Sequence, residues 1–394
     1  MRINDEEWGQ VGLDILVCPE YFYPHVGGGE VWIWNVARKL SERGHFIRVL
    51  TYKHPTRKAN ESIGGMSIQR MGPFPIRGTQ PYLSRALIQA FGILKNALNQ
   101  QFDVVLAVQT FPLIPSKLIS LILRRPIVAL FHDVYGLEFS LIEKGLLKGL
   151  IRGITEKISL QLHYDLVLAV SRSTRNKLVA SGISADKIRV VFGGVDLKFI
   201  DGVQGFLSES PLIVYLGRLV KYKHVDDLIV SFRKLLRRFP NAQLWIVGDG
   251  PERDGLIKLS RDLRVSERVK FWGRVSDVKK VQILKSAWML VLPSTKEGLG
   301  LVLLESLACK TPVIAVDSGG PRDVVFNGIS GFLVPPRDVN ALTKRIATLL
   351  EDDSLRSRMG QMGRKIVERT FTWDRVTDRV ELALKQVLEK VVEG

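Results

Sequence analysis

The sequence predicts an α/β protein built from two doubly wound parallel-sheet domains. Short apolar runs alternate with amphipathic segments, glycines and polar residues directly follow the apolar runs, and the chain has 394 residues. Apolar runs of about five residues that alternate with helical segments are typical of parallel strands joined by helices. A chain of this length suits two domains better than one hydrophobic core.

The first half of the chain contains six predicted strands, at residues 13–18, 46–52, 104–108, 127–131, 166–170 and 189–192. The first strand leads through Gly27, Gly28 and Gly29 to a predicted helix from about residue 31 to 43. Such a loop lets the backbone approach a phosphate closely, although a glycine triplet alone is often only a turn. His132 follows the fourth strand, at an edge of the sheet where α/β proteins bind ligands.

One amphipathic segment has two interpretations. Residues 143–158 have helical periodicity, which separates an apolar face from a basic row. The apolar face contains Leu147, Leu150, Ile151, Ile154 and Ile158, and the basic row contains Lys144, Lys148 and Arg152. The pattern fits a helix on a membrane surface or an ordinary helix that covers the sheet of the first domain.

A second alternating unit follows a polar, glycine-containing segment at residues 201–211. Its predicted strands are 212–216, 242–247 and 269–272, and segments 317–321 and 331–336 are predicted to close its sheet. Arg218 and Lys223 come after the first of these strands, where two cations suit the charge that grows on a diphosphate leaving group. Gly248 follows the second strand, and Arg274 and Val275 follow the third.

The stretch 293–313 contains two carboxylates, Glu297 and Glu305, separated by glycines and an apolar run. The glycines keep Glu297 in a loop, and the apolar run predicts a buried helix that begins near Leu301. Backbone N–H groups from about Gly300 to Val302 would point out of the helix N-terminus and bind an anion. The carboxylates can accept hydrogen bonds from hydroxyls, so a nucleotide-sugar fits this pattern.

The segment EGLGLVLLE, from Glu297 to Glu305, resembles the E-x7-E signature of the family 4 retaining glycosyltransferases. The resemblance continues through TPVIAVDSGG and GISGFLVPPRD and extends over nearly the whole chain. It implies the GT-B fold, in which two domains face a central cleft. Residues 1–202 would then form an acceptor-binding domain and residues 203–372 a donor-binding domain, with a last helix, 373–394, packed back on the first.

The resemblance also implies an activity and a role for each candidate residue. A sugar would move from a UDP- or GDP-sugar to a hydroxyl of a glycan or lipid-linked acceptor, with retained anomeric configuration. Catalytic residues would be Arg218 and Lys223 at the β-phosphate, Glu297 at the sugar hydroxyls and His132 at the 6-hydroxyl. Among the donor-binding residues, Glu305 would bind the ribose, Arg274 and Val275 would bind the base, and Gly248 would lie near the nucleotide. Two loops would bind the diphosphate: one contains Gly27, Gly28 and Gly29, and the other contains Gly300, Leu301 and Val302. No metal or other cofactor is expected, because the sequence has no Asp-x-Asp motif and the two cations can neutralise the diphosphate.

Some positions depart from the family pattern. Lys310 and His224 stand where glycine is usual, Gly193 where asparagine is common, and Asp323 where glutamate is frequent. None of these departures removes a catalytic charge, but they leave the identity of the donor open.

The formal net charge of +17 requires an explanation. Residues 53–125 include only Glu61 and Asp103 as acids against ten basic residues: Lys53, Arg57, Lys58, Arg70, Arg77, Arg85, Lys95, Lys117, Arg124 and Arg125. Anionic lipid head groups or a diphosphate-linked acceptor are the favoured partners, with a solvated surface as the alternative. Nucleic acid is disfavoured, because neither an aromatic-interleaved basic stripe nor a nucleic-acid-binding motif accompanies the charge.

The cysteines and the N-terminus bear on the compartment. Cys18 and Cys309 lie in apolar segments without C-x-x-C spacing, which predicts neither disulfide nor zinc site. The first ten residues are acidic and polar, unlike a signal peptide, and no apolar run reaches membrane-spanning length. We expect a cytoplasmic protein that can also lie at the inner face of the membrane.

Three other functions stay open at this stage. A nucleotide-sugar epimerase of the same fold would need no acceptor, and a phosphorylase would need a lysine-bound pyridoxal cofactor. A non-enzymatic basic binding protein would tolerate loss of Glu297. The combination of Glu297, Glu305, Arg218 and Lys223 argues against the binding protein, which has no use for all four charges.

Overall fold

The computed structural model describes residues 12–72, 82–144 and 146–393, which divide into two compact units. Unit 1 comprises the described residues up to Phe192 and those from Trp373 onward, and unit 2 comprises Gly193–Thr372. The boundary between the units lies after residue 192 rather than after residue 202. The reason is that Val195 pairs through its backbone with Phe371 and Thr372, which belong to unit 2. The first ten residues and Arg77, both used in the sequence analysis, lie outside the described residues.

Unit 1 contains an eight-stranded sheet in the order β3-β4-β2-β1-β5-β6-β7-β8. The strands are β1 Asp14–Cys18, β2 Phe46–Tyr52, β3 Asn60–Ile63, β4 Met66–Met71, β5 Val104–Val108, β6 Ile127–Phe131, β7 Leu166–Ala169 and β8 Ile188–Val190. All neighbours are parallel except β3 and β4. The six strands expected from sequence are present, and the β3–β4 hairpin is an addition to that prediction.

Helices cover both faces of this sheet. They are α1 Gly28–Glu42, α2 Tyr82–Ala97, α3 Leu113–Leu123, α4 Leu137–Lys144, α5 Leu146–Gln161, α6 Arg172–Ala180 and α15 Trp373–Glu393. One core lies under α2, α3 and α6, where Ile93, Ile119 and Leu178 pack on alternate strand residues such as Val105 and Ala129. The other face is covered by α1, against which α15 packs.

Charged side chains hold α15 to α1 and to the turn that follows it. Arg43 donates to Asp378 and to Glu381, each at 2.7 Å, and Lys385 lies 2.9 Å from Glu381. His45 Nε2 is 3.5 Å from the same glutamate. Burial alone would raise the pKa of Glu381, but hydrogen bonds from Lys385 and Arg43 outweigh it and lower the pKa to about 2.

We expect Glu381→Gln to lower the free energy of unfolding by about 1 kcal/mol at neutral pH, a modest value because solvent screens this half-buried cluster. A carboxyl with a depressed folded pKa stabilises above its ordinary value of 4.5, and this contribution disappears as the pH falls toward about 2. Urea midpoints of both proteins, measured from pH 7 downward, should therefore converge. A constant difference at every pH would contradict this assignment.

The segment 143–158, predicted as one helix, belongs to two. Described residues up to Lys144 lie in α4, and α5 begins at Leu146. The two helices pack closely at Gly153, where an added Cβ would lie 2.5 Å from Leu137 Cδ1. The buried side of α5 consists of small or polar residues, Gly149, Gly153, Thr155, Glu156 and Ser159. The helix therefore does not cover the sheet with its apolar face, contrary to the second interpretation above.

Unit 2 contains a six-stranded parallel sheet in the order β11-β10-β9-β12-β13-β14. The strands are β9 Leu212–Leu216, β10 Gln243–Val247, β11 Val269–Gly273, β12 Met289–Leu292, β13 Val313–Val316 and β14 Gly331–Val334. Residues 317–321 do not form a strand, because Gly319 adopts a φ of +64° and turns the chain after β13.

Eight helices accompany this sheet in the described chain. They are α7 Leu197–Gly202, α8 Val225–Leu235, α9 Arg253–Asp262, α10 Asp277–Ser286, α11 Leu301–Ala308, α12 Pro321–Val324, α13 Val339–Glu351 and α14 Asp353–Thr370. Ser276 caps α10, as its position before the helix predicts, by accepting a hydrogen bond from the Lys279 N–H. Among all helices in the described ranges of both units, none combines the length and apolarity needed to cross a bilayer.

Candidate functional site

The loops at the carboxyl ends of the unit 2 strands approach each other through glycines. A Cβ on Gly248, after β10, would lie 1.9 Å from the Gly217 carbonyl oxygen after β9. A Cβ on Gly320 would lie 2.2 Å from the Gly298 carbonyl oxygen in the loop before α11. Real Cβ atoms do not approach this closely, so these loops can meet only where glycine is present.

Lys223 and Glu297 form an ion pair at this strand edge, although they are far apart in sequence. The Lys223 ammonium donates to Glu297 Oε1, and the two side chains are only 11% and 12% exposed. Lys223 ends a 3-10 turn after β9, and Glu297 lies in the loop after β12. The Thr295 N–H donates to the Tyr222 carbonyl at 3.1 Å, so backbone bonding also ties the two loops together.

Arg218 lies at the end of the same strand. Its side chain is exposed, and Nη2 donates to Tyr222 Oη at 2.9 Å. Its carbonyl accepts from Tyr215 Oη, also at 2.9 Å. Burial, and then the negative charge of Glu297, raise the pKa of Tyr215, which keeps this phenol as a donor. Tyr215 and Tyr222 thus position Arg218, a role that sequence reasoning missed.

Glu305 lies in the second turn of α11, which begins at Leu301 as the sequence predicts. Gly300 is the N-cap residue, with a φ of +88°, and no side chain caps the helix, so its first N–H groups are available to a ligand. Lys280 of α10 donates to Glu305 Oε1 at 2.7 Å and lies 3.0 Å from Asp277.

The partner of Glu305 was not anticipated. Burial disfavours the Lys280 ammonium, but the charges of Glu305 and Asp277 outweigh this and raise its pKa. The only sequence signal was the i, i+3 spacing of Asp277 and Lys280 on α10. The hydrogen bond from Lys280 therefore holds the Glu305 carboxylate in one orientation.

Gly248, Arg274 and Val275 also come together. The Gly248 N–H donates to the Gly273 carbonyl at 2.8 Å, which joins the end of β10 to the residue before Arg274. Arg274 is exposed and Val275 is half-buried. Unit 2 thus brings all of its predicted site residues to the carboxyl edge of one sheet or to the first two turns of α11.

In unit 1, His132 meets the glycine loop. A Cβ on Gly29 would lie 3.0 Å from the His132 ring, while Gly28 faces open space. Gly27 is the N-cap residue of α1, and its carbonyl accepts from the Val31 N–H. The sequence predicts these glycines and His132 at the ligand-binding edge of the sheet, and Gly29 is the glycine that contacts His132 there.

The His132 ring is held in one protonation state. The main-chain N–H of His132 donates to Gln109 Oε1 at 2.9 Å, and Nε2 is buried without a hydrogen-bond partner among the described residues. Burial lowers the pKa of the imidazole to about 4, so the ring is neutral near pH 7. A neutral ring with one uncommitted nitrogen can hydrogen-bond to a hydroxyl without adding charge.

The cysteines do not take part in this chemistry. Cys18 and Cys309 are unpaired, and burial raises the pKa of each thiol to about 12. The described residues contain no group of three or more His, Cys, Asp or Glu side chains arranged to hold a metal ion.

Two family models match consecutive parts of the chain. Residues 26–199 match the model described as Glycosyltransferase Family 4, and residues 198–366 match the model described as Glycosyl transferases group 1. The second match contains Arg218, Lys223, Glu297 and Glu305.

Individual proteins resemble the chain over nearly its full length. The N-acetyl-alpha-D-glucosaminyl L-malate synthase of Bacillus anthracis is 26% identical, with 94% of this chain and 97% of the relative covered. The phosphatidyl-myo-inositol mannosyltransferase of Mycolicibacterium smegmatis is 28% identical, with coverage of 93% and 91%. A solved structure of sucrose-phosphate synthase from Thermosynechococcus elongatus has a TM-score of 0.82 at 21% identity, with coverage of 95% and 99%.

Proposed function

Because the chain belongs to the group 1 glycosyltransferases of family 4, with the GT-B fold, and is therefore a glycosyltransferase, we propose that its donor is a UDP- or GDP-sugar and its acceptor a hydroxyl. The acceptor hydroxyl belongs to a glycan or a lipid-linked molecule. The observation that carries the proposal is the buried Lys223–Glu297 pair next to Arg218 at one strand edge.

The cations act on the leaving group. Departure of a nucleoside diphosphate develops negative charge on the β-phosphate, and preorganised cations stabilise that charge in the transition state. Lys223 is fixed by Glu297, and Arg218 is oriented by Tyr222. The uncapped N-terminus of α11 adds backbone N–H groups and a partial positive charge. These groups can neutralise the diphosphate without a metal, and we propose a metal-independent reaction.

The carboxylates recognise the donor hydroxyls. Glu297 binds the sugar, and Glu305, oriented by Lys280, binds the ribose. Main-chain groups of Arg274 and Val275 bind the base. Positioning of this kind lowers the activation free energy of the transfer, because the reacting atoms are already ordered when the substrates are bound.

Unit 1 supplies His132 and the glycine loop of residues 27–29. The neutral His132 imidazole either accepts a hydrogen bond from the 6-hydroxyl of the sugar or donates one to it. We propose retention of the anomeric configuration through front-face attack, in which a phosphate oxygen takes the proton of the acceptor hydroxyl. Two relatives, named as N-acetyl-alpha-D-glucosaminyl L-malate synthase and phosphatidyl-myo-inositol mannosyltransferase, support a hydroxyl-bearing acceptor.

We also propose that the reaction takes place in the cytoplasm. Two unpaired thiols, Cys18 buried and Cys309 half-buried, are compatible with a reducing compartment.

Thermal unfolding with a panel of nucleoside diphosphates and nucleotide-sugars in EDTA tests the donor site. A ligand at 100 times its Kd stabilises the folded state by about 2.7 kcal/mol, which raises Tm by several degrees. We expect one base to raise Tm, Arg218→Ala to lose that rise, and Arg268→Ala, an exposed arginine in the same unit, to keep it. A panel without any stabilising nucleotide would contradict the proposal.

The products distinguish the remaining candidates. A transferase releases nucleoside diphosphate only as fast as an acceptor is glycosylated, and NMR of the new linkage reports its anomeric configuration. An epimerase would release a free or altered sugar without an acceptor. Full nucleotide binding that depends on added Mg²⁺ would contradict the metal-independent part of the proposal.

A further inference from the structure

The helices α2, α3 and α5 lie side by side on one face of the unit 1 sheet and expose apolar side chains. Phe91 of α2 is 68% exposed, Leu121 of α3 is 62% exposed and Leu147 of α5 is 72% exposed. Other exposed members of this surface, here called the outer face, are Leu87, Leu98, Leu118, Ile122, Leu150, Ile154 and Ile158. Soluble proteins seldom expose so many neighbouring apolar side chains without a binding role.

The orientation of α5 is the reverse of that in an ordinary surface helix. Such helices bury their apolar stripe and expose their polar one. In α5, small and polar residues such as Gly149, Gly153 and Ser159 are buried, whereas Leu150 and Ile154 are exposed. The close contact between Gly153 and Leu137 fixes this rotation, because the glycine side of α5 is the side against which α4 packs.

Basic side chains are interleaved with the apolar ones. Lys95, Arg124, Arg125, Lys148 and Lys157 are exposed, and none forms a salt bridge with a described residue. Among the described side chains from residue 87 to 161, Glu138 is the one exposed acid, since the other acids there are buried or half-buried. The outer face therefore combines apolar area with uncompensated positive charge.

We infer that the outer face binds to a bilayer that contains anionic lipids. Apolar side chains enter the headgroup region, while long basic side chains beside them reach the lipid phosphates. Each Lys or Arg near an anionic surface adds electrostatic attraction, so the five exposed cations strengthen binding to anionic lipids together. Arg125 and Arg124, at the end of α3, lie next to Ile122 and Leu121 as this arrangement requires.

A protein partner fits the outer face less well. Lysine is depleted in protein–protein interfaces, and their strongest contacts come from Trp, Tyr and Arg. The apolar members of the outer face are leucine, isoleucine and one phenylalanine, with lysines among them. The inference also stands apart from the proposed reaction, because lipid binding can be measured without donor or acceptor.

Vesicle flotation with the full chain tests this inference. We expect binding to phosphatidylcholine vesicles that contain about one third phosphatidylglycerol, at least tenfold stronger than to phosphatidylcholine alone, and weaker at high salt. Equal binding to both vesicle types, or no binding to either, would overturn the inference.

Variants with matched controls locate the surface. We expect Phe91→Ser combined with Leu121→Ser to reduce partition into anionic vesicles about tenfold or more, and Lys148→Glu to reduce it about fivefold or more. The controls are Leu382→Ser and Lys390→Glu on α15, at the opposite face of the sheet, where Leu382 is 59% exposed. They should bind as the wild type does.

Two further outcomes decide against the outer face. Equal losses in the α15 controls would place the membrane contact elsewhere. A dimer in light scattering that the Phe91 and Leu121 substitutions dissociate, without any effect on vesicle binding, would show that a second copy covers this surface. Circular dichroism of each variant checks its folding, and Lys148→Glu, at an exposed position, keeps the inference testable if the double variant unfolds.

Discussion

Replacement of Glu297 by alanine should lower kcat roughly 100- to 1,000-fold, the range found when one preorganised electrostatic contact is removed from an active site. The carboxylate has two roles: in the proposed mechanism it binds the donor sugar, and in the structure it holds the Lys223 ammonium at the strand edge. Loss of both roles acts mainly in the transition state, so kcat and kcat/KM should fall together. Initial rates with saturating donor and acceptor measure the effect.

Three further variants separate these roles. Glu297→Gln retains a hydrogen-bond acceptor but loses the charge that fixes Lys223, so its rate should lie between those of wild type and Glu297→Ala. Lys223→Ala should reduce kcat to a similar extent and weaken nucleoside diphosphate binding. Glu267→Ala removes an exposed carboxylate in the same unit and should leave the rate unchanged. A Glu297→Ala rate within twofold of wild type would exclude this carboxylate from the mechanism.

Glu305→Ala should destabilise unit 2 by about 2–3 kcal/mol as well as weaken nucleotide binding. Its partner Lys280 has a side chain only 22% exposed, and removal of the carboxylate leaves that ammonium in a poorly hydrated position. The stability loss should appear as a lower urea midpoint with an unchanged slope.

The double variant Glu305→Ala with Lys280→Met distinguishes stability from binding. Methionine fills the space of the lysine without a charge, so the double variant should recover most of the lost stability. It should not recover the nucleotide-induced rise in Tm, because the proposed ribose acceptor is still absent. Recovery of both would mean that Glu305 acts only as the counter-ion of Lys280.

The parallel strands could be predicted because burial on both faces leaves a continuous apolar run. Residues 104–108 and 127–131 are fully buried strands, and their observed bounds equal the predicted ones. The first residue of α11 could also be predicted, since an apolar run begins at Leu301, directly after Gly300. The antiparallel β3–β4 hairpin was missed, because β3 is short, polar and partly exposed, and the buried β4 alternates apolar with polar residues instead of forming a continuous apolar run.

The site could be predicted in its parts but not in its pairings. Glu297 and Lys223 were both identified, yet their contact depends on the order in which β9 and β12 lie side by side. Lys280 carries no local signal for its contact with Glu305, because α10 and α11 pack together only in the folded unit. Likewise, the apolar periodicity of α5 does not reveal whether that face is buried, since the Gly153–Leu137 contact decides the rotation.

The position of α15 has a consequence for synthesis on the ribosome. This helix packs on α1 in unit 1, yet all of unit 2 is translated between the two segments. Domains commonly fold in the order in which they emerge from the ribosome. Here all residues of unit 2 are synthesised before the last helix of unit 1. Unit 1 therefore cannot complete its fold until unit 2 has been translated, and the side of α1 that binds α15 stays uncovered during that time.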